Sequence, residues 1–169
     1  MIVLLMGVSG AGKSTVGAAL ASKVGADFLD ADDFHLQESV TKMASGTALS
    51  DDDRWPWLER LNGELAARES HGTTAVLACS ALKEAYRTRL TAGLRDARLV
   101  FLRGDFDFIR ARMETRKHNY MPSSLLKSQF ETLEAPANAL VIDAALAIPE
   151  AVEQIVRSLG MQDATRSPQ

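Results

Sequence analysis

Residues 7–15 read GVSGAGKST, directly after the apolar run IVLLM at residues 2–6. Gly7, Gly12, Lys13 and Ser14 fit the spacing G-x-x-x-x-G-K-[ST], and the helical pattern Val16, Leu20, Val24 follows. Glycines let the backbone curl so that successive N–H groups converge on an anion. A helix opening near Lys13 adds the positive end of its dipole. Gly7, Val8, Ser9, Gly10, Ala11, Gly12, Lys13, Ser14 and Thr15 are therefore read as a grip on nucleotide phosphate. Lys13 would reach the β- and γ-phosphates, the Ser14 hydroxyl would ligate Mg2+, and Thr15 would touch the α-phosphate. A glycine-rich turn with no ligand is the alternative, but it would not need a strand before it and a helix after it.

The rest of the chain alternates short apolar runs with helical ones. MIVLLM (1–6), DFLD (27–30), TTAVLAC (73–79), RLVFL (98–102) and ALVID (139–143) read as strands. Helical spacing covers 13–24, 53–68, 81–93, 105–116, 123–134 and 149–159. Continuous apolar strands separated by helices indicate an α/β protein with a parallel sheet covered on both faces. Residues 1–160 are expected to form one domain, with 161–169 as a frayed tail. The stretch 31–69 is too long for a simple crossover, and 116–136 looks like an insertion. Ligands bind at the carboxyl ends of strands in such sheets, where these excursions leave.

Bulk composition removes several function classes. The 169 residues carry a formal net charge of −3, which gives no electrostatic case for nucleic acid as the main ligand. A single cysteine, Cys79, excludes an internal disulfide and fits a reducing compartment. The run at residues 2–6 is too short to span a membrane and lacks the basic start of an export signal. A cytoplasmic protein with no membrane partner is expected. A GTPase switch should carry N-K-x-D, and the sequence has none.

Phosphate in such a grip can also be handed on. In FLDADDFH (28–35), Asp30 and Asp32 stand two apart at a strand's end, so an extended backbone projects them to one side. One could hold a Mg2+-bound water while the other accepts a hydrogen bond from an acceptor hydroxyl. Asp33 reads better as a helix N-cap, and His35 beside the pair is a candidate to touch substrate. In SDDDRWPWLERL (50–61), Ser50 and the aspartates suit a helix start, with Pro56 expected in its first turn. Arg54 gains nothing from a helix N-terminus, so it pairs either with those aspartates or with a ligand carboxylate. Trp55, Trp57 and Leu58 read as packing.

Lys83 and Arg87 in CSALKEAYRTRL are four apart, on one helical face, and could bind an anionic group on the acceptor. Solvated cations beside a buried Leu82–Tyr86 stripe are the other reading. Cys79 reads as a small core residue. Arg112 and Arg116 share a helical face ahead of the insertion, where a lid could bring guanidinium groups to developing charge and exclude water. A solvated charged face is the alternative there. No histidine spacing suggests a metal site.

Taken together, MGVSGAGKST, FLDADDFH, KMASGTALSDDDRWPWL, CSALKEAYR, LRGDF and LLKSQFETLEAP closely resemble the gluconokinases, small P-loop kinases that phosphorylate D-gluconate. The resemblance implies ATP and Mg2+, and transfer of the γ-phosphoryl group to the 6-hydroxyl of D-gluconate, giving 6-phosphogluconate and ADP. It implies a three-layer P-loop kinase fold with a five-stranded parallel sheet in order 2-3-1-4-5, a helical lid over about 112–136, and a homodimer. By the same resemblance Lys13, Asp30, Asp32, Arg112 and Arg116 would be catalytic, with Ser14 and Asp30 at the metal. Asp32, His35, Arg54, Lys83 and Arg87 would face gluconate. One departure stands out: Arg116-Lys117-His118-Asn119-Tyr120 occupies the place where the family commonly reads R-x-G-H-F. A shikimate-kinase-like enzyme is the nearest rival, though CSALK stands where its glycine triplet belongs. A non-catalytic ATP-binding regulator would need neither the aspartate pair nor the lid arginines.

Overall fold

The computed structural model describes residues 1–45, 49–115 and 123–164. Five strands form one sheet: β1 (Ile2–Met6), β2 (Asp27–Asp30), β3 (Ala75–Ala78), β4 (Ala97–Arg103) and β5 (Leu140–Asp143). All pairings are parallel and the order is β2-β3-β1-β4-β5, as the resemblance implies. The helices are α1 (Lys13–Val24), α2 (Gln37–Ala44), α3 (Asp51–Ser70), α4 (Glu84–Thr91), α5 (Phe106–Glu114), α6 (Ser123–Thr132) and α7 (Ile148–Leu159), with a 3-10 turn at Ala31–Phe34.

Every residue of β1 is buried, so its sequence carries no polar alternation. Its side chains nevertheless divide between two cores. Ile2, Leu4 and Met6 join Leu58, Leu61 and Leu65 of α3 and Leu90 of α4 on one face. Val3 and Leu5 join Leu20 of α1, Ile109 of α5 and Val152 and Ile155 of α7 on the other. Successive side chains on a strand point oppositely, which is why one apolar run serves two layers. Among the described residues, no helix is long and apolar enough to cross a membrane.

Local details correct three expectations. Asp30, not Asp33, caps the 3-10 turn, its Oδ1 accepting from the Asp32 N–H at 3.2 Å. α3 begins at Asp51, so Pro56 is its sixth residue and stands beyond the first turn. Ser50 is the N-cap, in a reciprocal capping box with Asp53. A further helix, α2, lies inside the excursion that follows β2. Its sequence QESVTKMA offers only Val40 and Met43 as large apolar residues, too few for a stripe.

Candidate functional site

The carboxyl end of β1 runs straight into the loop 7–12, and α1 opens at Lys13 behind a left-handed Gly12 with φ 101°. Gly10 also has positive φ, 84°, and a Cβ there would stand 2.7 Å from Met113 Cγ. Lys13 donates from Nζ to the Val8 carbonyl at 3.1 Å, folding its side chain under the loop. Loss of water lowers its pKa from the ordinary lysine value, against the pull of Cys79, Asp32 and Asp30. The first-turn amides of α1 have no partner within the helix, which leaves them for an anion.

Asp30 at the end of β2 reaches this loop: the Ser14 hydroxyl donates to its Oδ2 at 2.5 Å. Asp32 stands beside it with its side chain 88% exposed, while His35 is only 9% exposed. His35 Nε2 lies 3.7 Å from Asp32 Oδ1, and its ring stacks on Trp57 at 4.4 Å and 15°. The neighbouring His35 holds the Asp32 carboxyl below the ordinary aspartate pKa, with burial opposing and Lys13 helping. Trp57 is core, and it also donates from Nε1 to the Ala31 carbonyl at 2.9 Å, fixing the turn that carries Asp32.

Across from the aspartates, the Gly7 N–H donates to the Ser80 carbonyl at 3.4 Å, tying the loop after β3 to the phosphate grip. Three residues on is Lys83, which is the N-cap of α4 and not part of its face. Its Nζ meets Asp51 Oδ1 and Oδ2 at 3.0 and 2.8 Å, and the Tyr86 hydroxyl donates to the same carboxylate at 2.5 Å. These contacts, Lys83 first and Tyr86 second, lower the Asp51 pKa, and Asp51 raises that of Lys83. Arg54 joins them, donating to the Leu49 carbonyl at 2.6 Å and lying 3.7 Å from Asp51. Arg54 and Lys83 therefore share one acid between them.

Arg87 is engaged elsewhere. Its buried guanidinium donates to the Ala81 and Leu82 carbonyls at 3.0 Å each, and burial lowers its pKa. It is thus neither a solvated cation nor a neighbour of Lys83 on one helical face. Ala81 holds φ 42°, a left-handed conformation rare outside glycine, and Arg87 braces the turn that imposes it. Arg112 of α5 donates from Nη1 to the Ala144 carbonyl at 3.1 Å and the Ala11 carbonyl at 3.4 Å. A Cβ on Gly12 would stand 3.1 Å from its Nη2, so the guanidinium lies directly on the phosphate loop. Arg116, with His118 and Asn119, falls outside the described residues.

Cys79 is core, and burial pushes its thiol up to about 12, which removes it as a nucleophile. Sequence reasoning missed Asp51, Tyr86 and Gln129. Asp51 looked like a capping acid, and Lys83 and Tyr86, which bond to it, lie more than thirty residues away. Gln129 of α6 bonds Ser9 across 120 positions.

The phosphate loop, the paired aspartates and the two cations with their shared acid converge at one end of the sheet. The family model described as AAA domain matches residues 2–140. The chain is 44% identical to a probable gluconokinase of Mus musculus, across 94% of this chain and 97% of that one. It is 41% identical to the thermoresistant gluconokinase of Escherichia coli, across 93% and 90% of the two chains. Among solved structures, a gluconokinase from Sinorhizobium meliloti superposes with a TM-score of 0.84 at 40% identity, covering 94% of this chain and 90% of that one.

Proposed function

The chain belongs to the gluconokinase family of P-loop kinases, and on that premise we propose that it phosphorylates D-gluconate from ATP at the 6-hydroxyl, releasing 6-phosphogluconate and ADP. One observation supports this reading: the Ser14 hydroxyl donates to Asp30 Oδ2 at 2.5 Å, which joins the end of β2, two residues before Asp32, to the phosphate loop.

The loop amides and Lys13 hold the β- and γ-phosphates, and Arg112 supplies positive charge from the α5 side. Ser14 and Asp30 are the residues that would hold Mg2+. A hydroxyl and a carboxylate oxygen side by side suit a hard cation. Bound there, such an ion would supply positive charge against that of the nucleotide phosphates. Asp32 accepts the proton of the attacking hydroxyl at its carboxylate, with His35 steadying it. Arg54 and Lys83 pair with the gluconate carboxylate, for which their single shared aspartate leaves positive charge in surplus. Arg87 serves the acceptor side by bracing the turn that presents Lys83. Cytoplasmic residence rests on the lone cysteine, which fits a reducing compartment, and a homodimer on the family resemblance.

ADP release is measured with MgATP against D-gluconate, shikimate and no acceptor, for wild type and Asp32→Asn. Release with gluconate alone, falling roughly 10²–10⁴-fold in the variant, is the expected result. Turnover with shikimate only, or hydrolysis indifferent to acceptor, would sink the reading.

A further inference from the structure

Helices α5 and α6 close the outer wall of the phosphate loop by two kinds of contact. Met113 and Ile109 of α5 press on the Cα of Gly10, where a Cβ would stand 2.7 Å from Met113 Cγ and 3.1 Å from Ile109 Cγ2. Gln129 of α6 is different, because it grips the chain by hydrogen bonds. The Ser9 N–H donates to its Oε1 at 2.7 Å, and its Nε2 donates back to Ser9 Oγ at 3.0 Å. The helix that carries it is itself held at two further points. Phe130 meets Phe106 of α5 edge-on, with ring centroids 5.5 Å apart. Just past α6, Glu134 accepts from the Glu84 N–H at 2.6 Å and donates its own N–H to the Leu82 carbonyl at 2.9 Å.

We propose that Gln129 is a positioning residue for phosphoryl transfer: it fixes the Ser9 peptide so that the phosphate loop is preset before nucleotide arrives. The loop's own bonds leave this job undone. Ala11 N–H and Lys13 Nζ both donate to the Val8 carbonyl, at 3.2 and 3.1 Å, and so fix the inner turn. The Ser9 N–H is held instead by a side chain anchored elsewhere in the fold. A carboxamide suits the task because one neutral group both accepts from an amide and donates to a hydroxyl. A carboxylate there would set negative charge beside the phosphates, and an ammonium could not accept the N–H. Gln129 acts through Ser9 and touches neither reactant.

This inference rests on the kinase reading above, so its test reads nucleotide binding without acceptor first. Gln129→Met keeps the length and fills the space without the hydrogen bonds, and Gln129→Ala is the second variant. Affinity for the β,γ-imido analogue of ATP with Mg2+ is measured in each, followed by kcat, the KM for gluconate and the thermal midpoint. Two lost hydrogen bonds correspond to roughly a tenfold weaker nucleotide affinity. The expected result is that weakening in both variants, with kcat reduced and the KM for gluconate within about twofold. Nucleotide affinity unchanged in Gln129→Met would overturn the proposal. Tighter binding would overturn it too, because the carboxamide would then be competing with phosphate. Loss of the fold in both variants would make Gln129 merely structural. If wild type fails to turn over gluconate while the variants still bind nucleotide weakly, the acceptor assignment falls and the role of Gln129 stands.

Discussion

Cys79 and Asp51 show how little a residue's type says without its surroundings. The buried Cys79 thiol, with a pKa raised to about 12, is expected to resist thiol reagents at pH 8 in the folded protein. Treatment with an aromatic disulfide reagent should release no chromophore until denaturant is added, and then one equivalent per chain. Fast labelling of the native protein would contradict the burial. The raised value also sets a sign. The native state keeps a proton there that the unfolded chain loses above about pH 9, so this contribution to stability is present below that pH and disappears as pH climbs towards 12. Asp51 is the opposite case, an acid read as a helix cap that in fact anchors Lys83 and Tyr86. Asp51→Asn keeps the shape and removes the charge, so Lys83 loses the partner that orients it. The expected outcome is a KM for gluconate raised several-fold, with nucleotide affinity untouched. A variant whose nucleotide affinity falls instead would detach Asp51 from the acceptor side.

At the scale of elements, α3 concentrates the consequences. Pro56 is its sixth residue and is exposed, so the Asp52 carbonyl lacks the amide donor that a helix interior would supply. Pro56→Ala should raise the unfolding free energy by about 2 kcal/mol, read from the denaturant midpoint at constant slope. Its N-terminus is also acid-sensitive. Asp53 is held below the usual carboxylate range by Lys42 and Ser50, and Asp51 by Lys83 and Tyr86. Depressed carboxyls contribute stability above roughly pH 4 and lose it as pH falls further. The thermal midpoint should therefore drop below pH 4, and less steeply in Asp53→Asn. What was legible beforehand divides along the same lines. Strands β1 and β3 could be read because burial on both faces leaves uninterrupted apolar runs, and the partly exposed β2, β4 and β5 because short branched or aromatic runs stand between helical stretches. The phosphate loop could be read because its requirements are local in sequence. α2 escaped because its residues form no stripe. The direction of Arg87 escaped because a backbone brace and a ligand contact demand the same side chain at the same spacing. Asp51 and Gln129 depend on contacts that only the assembled sheet creates.

Across the whole molecule, the sheet separates two cores whose buried side chains are distinct, although the partly buried Leu133 packs against both. Ile2 belongs to the layer under α3 and α4, Ile155 to the layer under α1 and α7. Ile2→Val and Ile155→Val should each cost roughly 0.5–1.5 kcal/mol, and the double variant their sum within about 0.5 kcal/mol. A larger coupling would mean that strain crosses the sheet. The loop at its carboxyl edge ties these layers to the site, and its glycines answer to neighbours as well as to ligand. Gly10 makes room for Met113, and Gly12 for Arg112. A descendant of this chain that abandoned its chemistry would still be selected to keep those glycines, simply to stay folded. Its motif would then persist as a fossil, intact in spelling and empty in use. Asp32, almost wholly in solvent, is under no such obligation. In a lineage drifting away from catalysis, the exposed acid would be the first letter to change and the glycines the last.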